Sequence, residues 1–244
     1  MAFAVPLSKP NCRETCGNVI IPYPFGIGQE CSANPSFTID CRNFTYPEIP
    51  FLSSLDLQVL EVSLRQGIVI VNQPVSPMNC STQQKELSLG KSLFGTPFIF
   101  SRFYNVLIVL GCKNVVTLLT NETTTAAVCM AVCRSSSYNP TDTSCNGVDC
   151  CQTSIPQLLQ EQQIIYRSSD TNTMFCGYAF LVHENWLLND YYKYKGLQDN
   201  LSNPLDKEFV FAPVALGWEF PLADFVSGIC RNRPYYYSYW SNSL

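Results

Sequence analysis

The stretch C-R-E-T-C-G-N-V-I-I-P-Y-P-F-G-I-G, residues 12–28, decides the local structure around which the rest of the chain is organised. Pro22 and Pro24 each fix φ at about −65° and bias the residue before them towards extended geometry. Two glycines follow within four residues and permit turns that would strain a larger side chain. The stretch therefore predicts a stiff extended segment that carries Tyr23 and Phe25, ends in a turn and is tethered by nearby cysteines.

Thirteen cysteines and a single histidine, His183, decide the redox chemistry of the chain. A zinc site would need paired C-x2-C motifs, usually with histidine, and the sequence has no such pair. We therefore predict disulfides in an oxidising compartment, no bound metal and no cofactor. The cysteines expected to pair are Cys12, Cys16, Cys31, Cys41, Cys80, Cys112, Cys129, Cys133, Cys145, Cys150, Cys151 and Cys176. Cys230 comes last, beyond the final predicted strand, and is the candidate for the cysteine that an odd total leaves unpaired.

Four N-glycosylation sequons agree with an extracellular location. They begin at Asn43, Asn79, Asn121 and Asn200. We expect glycans on exposed loops at these positions, with Asn79 the least favourable because the middle residue of its sequon is Cys80. The first ten residues lack a complete signal peptide, although Ala2-Phe3-Ala4 has the small-x-small form of a cleavage site. Residues 1–11 are therefore interpreted as a residual N-terminal, signal-derived segment.

Charge and side-chain chemistry exclude several function classes. The net charge is −4, with nine basic and eight acidic residues up to position 134, and six and eleven after it. No basic run is present, so nucleic acid is not an expected partner, and an anionic ligand would be sought in the first half. A serine or cysteine nucleophile would depend on the lone His183, and both the G-x-S-x-G elbow and the kinase motifs are absent. We therefore predict a binding protein rather than an enzyme.

Short β-branched and aromatic runs separated by turn residues predict a mainly β fold with a few short helices. Phe103–Cys112 is the most hydrophobic run and is expected to be buried on both faces. Phe209–Phe220 is expected to be an edge strand, because Pro213 interrupts it. Other strands are predicted at residues 37–41, 57–64, 67–71, 115–120, 164–166 and 175–182, with short helical segments at 156–163 and 186–194.

The cysteines also indicate how the chain divides. The first six, up to Cys112, form an even set that is compatible with a self-contained domain. Cys150 and Cys151 are adjacent and should bond to two different partners, because a disulfide needs its Cα atoms farther apart than one trans peptide places them. We predict a disulfide-stapled fold of two modules, one over residues 12–112 and one over residues 113–230, followed by an atypical tail at 231–244.

The opening stretch resembles the start of the plant wall-associated receptor kinase ectodomain. The similarity lies in C-G-N-V-x-I-P-Y-P-F-G-I-G from Cys16, followed by Cys31 and by F-T-I-D-C ending at Cys41. In that family this module is described as galacturonan-binding. The first module is therefore identified by resemblance as one of this type.

Three later motifs resemble the second, wall-associated-kinase-associated module of the same ectodomains. They are G-x-D-C-C-Q-T-S-I-P from Gly147, C-G-Y-A-F-L-V from Cys176 and P-V-x-L-G-W from Pro213. The resemblance therefore runs from about Cys12 to Cys230. In the family a further cysteine-rich region, a membrane span and a cytoplasmic kinase usually follow, and this sequence shows none of them. A membrane is expected only through a downstream span of a longer receptor.

The resemblance implies an extracellular ectodomain fragment that binds pectin or oligogalacturonides in the cell wall or at the outer face of the plasma membrane. Polygalacturonate carries one carboxylate per sugar, so its recognition calls for guanidinium groups and for aromatic faces against the sugar rings. The ligand-binding residues predicted on this ground are Arg13, Tyr23, Phe25, Arg42 and Arg102. For each residue the opposing interpretation is a solvated charge or a core ring. Competing hypotheses for the whole chain are a protein- or peptide-recognition ectodomain and a non-signalling decoy form.

Overall fold

A computed structural model of the chain describes residues 7–43, 46–79, 85–121, 124–133, 145–161, 163–169, 177–186 and 211–219. These residues contain eighteen β-strands arranged in four sheets. Helix in these ranges is limited to a 3-10 helix at Pro35–Phe37 and a helical turn at residues 184–186. The predicted mainly β, disulfide-stapled fold class is confirmed. The short helix predicted at 186–194 lies, except for its first residue, outside the described residues.

The first two sheets are a small hairpin and a large sheet that draws strands from both ends of the chain. The hairpin pairs β1 (Thr15–Cys16) with β2 (Val19–Ile20). The seven-stranded sheet contains β3 (Gly26–Ile27), β4 (Thr38–Arg42), β5 (Ile49–Leu52), β6 (Leu57–Ser63), β7 (Ile68–Pro74), β10 (Phe98–Phe100) and β18 (Phe211–Trp218). Its spatial order is β10-β18-β7-β6-β5-β4-β3, and β3 with β4 is its parallel pair. The hairpin predicted over residues 57–71 is confirmed as β6 and β7.

The other two sheets come from the middle of the chain. The five-stranded sheet has the order β14 (Asn146–Val148), β15 (Cys150–Ser154), β11 (Asn105–Leu110), β17 (Gly177–His183), β8 (Ser76–Met78). The four-stranded sheet has the order β13 (Thr124–Ala131), β12 (Asn114–Asn121), β16 (Gln163–Ser168), β9 (Lys85–Ser88). β11 is buried along most of its length, as its hydrophobic run predicts. Phe103 does not belong to it: the strand begins at Asn105, and Phe103 is 69% exposed.

The last described strand corrects the prediction of an edge position. β18 lies between β10 and β7, and β10 pairs with it only from Leu216 to Trp218. The N–H of Ala215 points away from β7, because it donates to Oδ1 of Asn105 at 2.8 Å. Successive backbone N–H groups of a strand point to opposite sides, so an N–H at position 213 would also point away from β7. Pro213 therefore removes no hydrogen bond from the ladder with β7.

A cluster of four aromatic rings joins the two ends of the chain in the core. Phe25 lies edge-on to Phe37 and to Trp218, in both cases with ring centroids 5.2 Å apart, and Phe37 lies 5.4 Å from Phe98. The side chain of Phe25 is 0% exposed. A ring in this position has no face open to a sugar. Phe25 is therefore interpreted as a core residue and not as a ligand-binding residue.

The turn after Phe25 needs glycine because two segments approach closely there. A Cβ atom at Gly26 would collide with the backbone carbonyl of Cys31. Cys31 is held at this point by its disulfide to Cys12. The glycine of the opening stretch therefore allows the disulfide-bonded segments to pack directly against each other.

Five disulfides lie among the described residues. They are Cys12–Cys31, Cys16–Cys41, Cys112–Cys133, Cys129–Cys151 and Cys145–Cys150. Cys150 and Cys151 bond to different partners, as predicted. The first six cysteines, an even set, do not pair only among themselves, because Cys112 bonds across the predicted module boundary to Cys133. Cys80, Cys176 and Cys230 lie outside the described residues.

Candidate functional site

Two disulfides position a polar surface at the start of the chain, which we call the N-terminal surface and define as Arg13, Arg42, Tyr46 and Glu48. Arg13 follows Cys12, and Arg42 follows Cys41, so both arginines are adjacent to bridged cysteines. Glu48 directly precedes β5, whose first residue pairs with Arg42 in the sheet. The predicted ligand-binding residues Arg13 and Arg42 therefore lie in one region of the fold.

Arg13 is paired with a carboxylate of its own chain. Its guanidinium donates a hydrogen bond to Oε2 of Glu48. This hydrogen bond lowers the pKa of Glu48 below its ordinary value and raises the pKa of Arg13. A Cβ atom at Gly17 would collide with the backbone carbonyl oxygen of Glu48, so the tight β1–β2 turn packs directly on the segment that carries the carboxylate. The side chains of the pair are 48% and 34% exposed, so water screens the interaction.

Arg42 is held by two carboxylates and a ring. Its Nε donates to Asp40 at 2.8 Å and an Nη donates to Asp56 at 2.7 Å. Hydrogen bonding to Asp40, and then to Asp56, raises the pKa of Arg42. The guanidinium also lies over the ring of Phe51, with its carbon 4.0 Å from the ring centroid. The charge of Arg42 is therefore already met by carboxylates, as is that of Arg13.

Tyr23 lies beside a lysine that the sequence did not single out. Nζ of Lys9 is 5.4 Å from the Tyr23 ring centroid, and it donates to the backbone oxygens of Ser32 at 2.6 Å and Glu30 at 3.3 Å. The N–H of Tyr23 donates to the oxygen of Leu7 at 2.8 Å, so the described part of the N-terminal segment packs on the opening stretch. Tyr23 is half-buried.

Tyr46 is a second residue that sequence reasoning missed. Its side chain is 100% exposed, in the loop between Arg42 and Glu48. A signal for it was present, because Tyr46 stands directly before a proline and directly after a sequon, where turn composition indicates an exposed loop. It adds an open aromatic ring to the N-terminal surface, a role that Phe25 does not fill.

The third predicted arginine lies in another environment, on the turn between β10 and β11. The guanidinium carbon of Arg102 is 4.6 Å from the ring centroid of Phe103. With the amide of Gln157 turned so that its oxygen faces the guanidinium, that oxygen accepts hydrogen bonds at 2.7 and 2.8 Å. Both partners are electrically neutral. Three large apolar side chains in this region are strongly exposed: Phe94 81%, Phe103 69% and Leu158 64%. We call Phe94, Arg102, Phe103 and Leu158 the Arg102 surface.

The segment that carries Leu158 departs from the helical expectation. Residues 157–158 form a turn, and Leu159 pairs with Phe100 in an isolated β-bridge. The helical turns predicted over 156–163 are therefore wrong for these residues. The backbone partners supplied by β10 provide the physical reason, since they draw this segment into an extended pairing.

His183 is the last residue of β17, and its side chain is buried. Its ring stacks on Tyr104 with centroids 5.9 Å apart, and its Nδ1 accepts a hydrogen bond from the N–H of Asn185 at 3.2 Å. Burial lowers the pKa of His183. These contacts make His183 a packed core residue.

Other predicted features are placed only in part. Asn43 and Asn79 are exposed, whereas the side chain of Asn121 and all of Asn200 lie outside the described residues. Within the described ranges, no group of three or more His, Cys, Asp or Glu side chains could hold a metal ion. Among the same residues, no helix is long and apolar enough to cross a membrane.

Comparison with known proteins identifies the class of this fold and surface. Residues 12–73 match the family described as "Wall-associated receptor kinase galacturonan-binding", and residues 142–224 match the family described as "Wall-associated kinase". The first match begins at Cys12 and covers the whole N-terminal surface. The chain therefore carries a galacturonan-binding domain and a wall-associated kinase domain, and it is a distant homologue of wall-associated receptor kinase-like proteins over most of its length.

Relatives from Arabidopsis thaliana support the same assignment. Wall-associated receptor kinase-like 6 is 30% identical over 95% of this chain and 38% of its own length. Wall-associated receptor kinase-like 17 is 31% identical over 86% and 30%, and wall-associated receptor kinase-like 10 is 29% identical over 74% and 28%. The chain thus spans less than two fifths of each of these relatives. The matched domains are non-catalytic ectodomain modules. No solved structure matches the chain.

Proposed function

We propose that this chain is an extracellular polysaccharide-binding ectodomain and that its ligand is the galacturonan of pectin. The observation that carries the proposal is the match of residues 12–73 to a galacturonan-binding domain. The N-terminal surface lies within these residues and combines two guanidinium groups with a fully exposed tyrosine ring. Five disulfides and two exposed sequon asparagines agree with an extracellular location.

The carboxylates that now face Arg13 and Arg42 do not prevent such binding. Their side chains are 34 to 61% exposed, and exposed ion pairs contribute little because water and salt screen them. A polymer carboxylate can replace Glu48 or Asp56 with little loss of free energy. Successive sugars then present further carboxylates to the same surface. The affinity of the polymer therefore comes from several weak exchanges rather than from one strong pair.

Binding of the disulfide-intact protein to immobilised polygalacturonate tests the proposal. We expect retention that declines as salt is added, because the contacts are between exposed charges. Methyl-esterified pectin, which lacks most of the carboxylates, should be retained more weakly. Equal retention of the free and esterified polymers, or no retention of either, would contradict a charge-based galacturonan site.

A double variant locates the contact. Arg13→Gln with Arg42→Gln should weaken polygalacturonate binding by about tenfold, since charge-assisted contacts are lost at two positions. Arg65→Gln is the matched control, because Arg65 is an exposed arginine in the β6–β7 turn that has the same charge. A double variant that binds as tightly as this control would remove the N-terminal surface from the proposal. Folding of each variant is checked by its unfolding transition.

The protein-recognition hypothesis has one described surface in its favour. Alternate residues of the β13 region are apolar and exposed: Val128 55%, Met130 59% and Val132 51%. Such a row on one face of a strand is suited to contact with another apolar surface. A protein that shows no response to pectin but forms a stable complex that Met130→Ser disrupts would favour this hypothesis over the carbohydrate one.

A further inference from the structure

The partners of the Arg102 guanidinium distinguish this residue from the other two predicted arginines. Its partners are the amide oxygen of Gln157 and the ring of Phe103, neither of which carries a charge. Among the described residues, Arg102 is in no ion pair. A carboxylate that arrives from a ligand can therefore form a charge-assisted hydrogen bond here without first displacing a carboxylate of the protein.

The ring that carries this cation is exposed, and two neighbouring loops also leave apolar side chains exposed. Phe94 and Phe103 expose most of their rings, and Leu158 is 64% exposed. One face of Phe103 carries the guanidinium, and the exposure of the ring leaves further surface open. A cation beside exposed rings matches a sugar acid, which has an apolar C–H face on its ring and a carboxylate at its edge.

Hydrogen bonds tie the loop at 156–160 to the loop at 92–97 and to β10. The N–H of Phe100 donates to the oxygen of Leu159 at 2.8 Å, and the N–H of Leu93 donates to the oxygen of Gln160 at 2.8 Å. The side chain of Gln160 donates to the oxygens of Thr96 at 3.3 Å and Phe98 at 3.1 Å. The loops at 92–97 and 156–160 are therefore tied to each other and to β10, and the contact of Arg102 with Gln157 joins the 101–104 turn to the loop at 156–160.

A buried asparagine fixes the turn that carries Arg102 and Phe103. The side chain of Asn105, which is 1% exposed, donates to the oxygens of Ser101 at 2.8 Å and Ala215 at 2.7 Å. Its Oδ1 accepts from the N–H of Ala215, so the turn is anchored on β18. Leu158 has φ +56°, a left-handed conformation that is unfavourable for leucine. The turn that carries Arg102 and Phe103 is thus fixed before a ligand arrives, which removes part of the entropy loss on binding.

We propose that the Arg102 surface is a second saccharide-binding surface, which takes one uronate sugar with its carboxylate on Arg102 and its ring against Phe103 or Phe94. This inference rests on the proposed function and adds a contact outside the residues 12–73 of the galacturonan-binding match. A long polymer that reaches both surfaces is held at two points. A short oligogalacturonide that fills only one surface is held less tightly.

Substitutions on this surface test the inference by calorimetric titration of the disulfide-intact protein with polygalacturonate. Arg102→Gln combined with Phe103→Ser should weaken binding by about tenfold, through loss of a charge-assisted contact and a ring contact. Arg65→Gln, the matched exposed control, should change affinity by less than about twofold. The substituted side chains are exposed, so each variant should keep the unfolding midpoint of the wild type.

The outcomes separate the two claims. If the wild type binds and the double variant binds as tightly as the Arg65→Gln control, the second surface is refuted while the proposed function stands. A surface used only for a protein partner would produce this same result. If the wild type does not bind polygalacturonate, the proposed function fails and the inference fails with it.

Footprinting of the wild-type protein provides a test that needs no substitution. Hydroxyl-radical modification of Phe94, Phe103 and Leu158 should fall when polygalacturonate is added. Met130 on β13, which is 59% exposed, is the internal reference and should be modified as before. Unchanged modification of all three apolar side chains in the presence of saturating polymer would overturn the inference.

Discussion

The N-terminal surface and the Arg102 surface contain the same kind of cation in opposite electrostatic environments. Arg13 and Arg42 are each hydrogen-bonded to carboxylates of the protein, whereas Arg102 is hydrogen-bonded to an amide and stacked on a ring. An anionic ligand must exchange with a carboxylate on the first surface and need not do so on the second. The difference shows that the partners of an arginine, rather than its presence, decide how readily it binds an anion.

The first prediction compares a buried and an exposed aromatic residue of the N-terminal region, and it has the largest expected effect on stability. Phe25→Ala should lower the free energy of unfolding by about 3–5 kcal/mol, because it leaves a cavity among four packed rings. Tyr46→Ala, at a fully exposed position, should change it by no more than about 0.5 kcal/mol. Denaturant unfolding under oxidising conditions measures both values. A stable Phe25→Ala protein that has lost polygalacturonate binding would restore Phe25 to the ligand site.

The second prediction concerns the disulfide that braces the N-terminal surface. Replacing Cys16 and Cys41 together by serine should lower the free energy of unfolding by about 2–4 kcal/mol. It should also weaken polygalacturonate binding, because Arg42 loses its fixed neighbour. The matched control removes Cys112–Cys133, which closes a loop of similar length elsewhere: the sequence separations are 25 and 21. Equal losses of binding in both double variants would show that general destabilisation, not the local brace, is responsible.

The third prediction removes the carboxylate partner of Arg13, so that this arginine on the N-terminal surface resembles Arg102. Glu48→Gln removes the carboxylate that neutralises Arg13 and should strengthen polygalacturonate binding by about two- to fivefold, a modest effect because the pair is exposed. Glu86→Gln, at an exposed position on β9, is the control for the change in net charge. Surface plasmon resonance at low and high salt measures both. Weaker binding by Glu48→Gln would mean that Glu48 helps to hold Arg13 in the productive position.

The fourth prediction has the smallest effect and tests the ion pair itself. Arg13 lowers the pKa of Glu48 by a hydrogen bond to the charged form. The contribution of the pair is therefore present above the ordinary pKa of glutamate and is lost as the pH falls through the lowered value. Arg13→Gln should move the pKa of Glu48 upwards, which carbon NMR titration of the carboxyl group detects. An unmoved pKa would show that the pair does not form in solution.

Much of the secondary structure follows from local sequence. The β6–β7 hairpin was predictable because a glycine turn separates two β-branched runs, and β11 because an unbroken apolar run indicates a buried strand. The edge assignment of β18 failed for a physical reason. Local sequence shows that Pro213 lacks an N–H, but not that this N–H would have pointed away from the neighbouring strand.

The residues of the candidate sites also differ in whether local sequence predicts their environment. Exposed positions such as Tyr46 have a compositional signal in their turn residues, whereas nothing local to Phe25 shows that Trp218 and Phe98 close over it. The charge partners of the arginines are equally non-local. Arg13 meets a carboxylate thirty-five residues away, and Arg102 meets an amide fifty-five residues away.

The sequence by itself determined the resemblance to wall-associated receptor kinases, the mainly β class, the disulfide bonding of the described cysteines and the different partners of Cys150 and Cys151. These depend on composition, spacing and motif, which are properties of the chain before it folds. The tertiary structure alone decided that Cys112 bonds to Cys133 and that β18 completes the sheet of the first strands. It also decided that Arg102 differs from Arg13 and Arg42. Disulfide pairing, strand order and charge neutralisation depend on which distant segments meet, and local sequence does not specify those contacts.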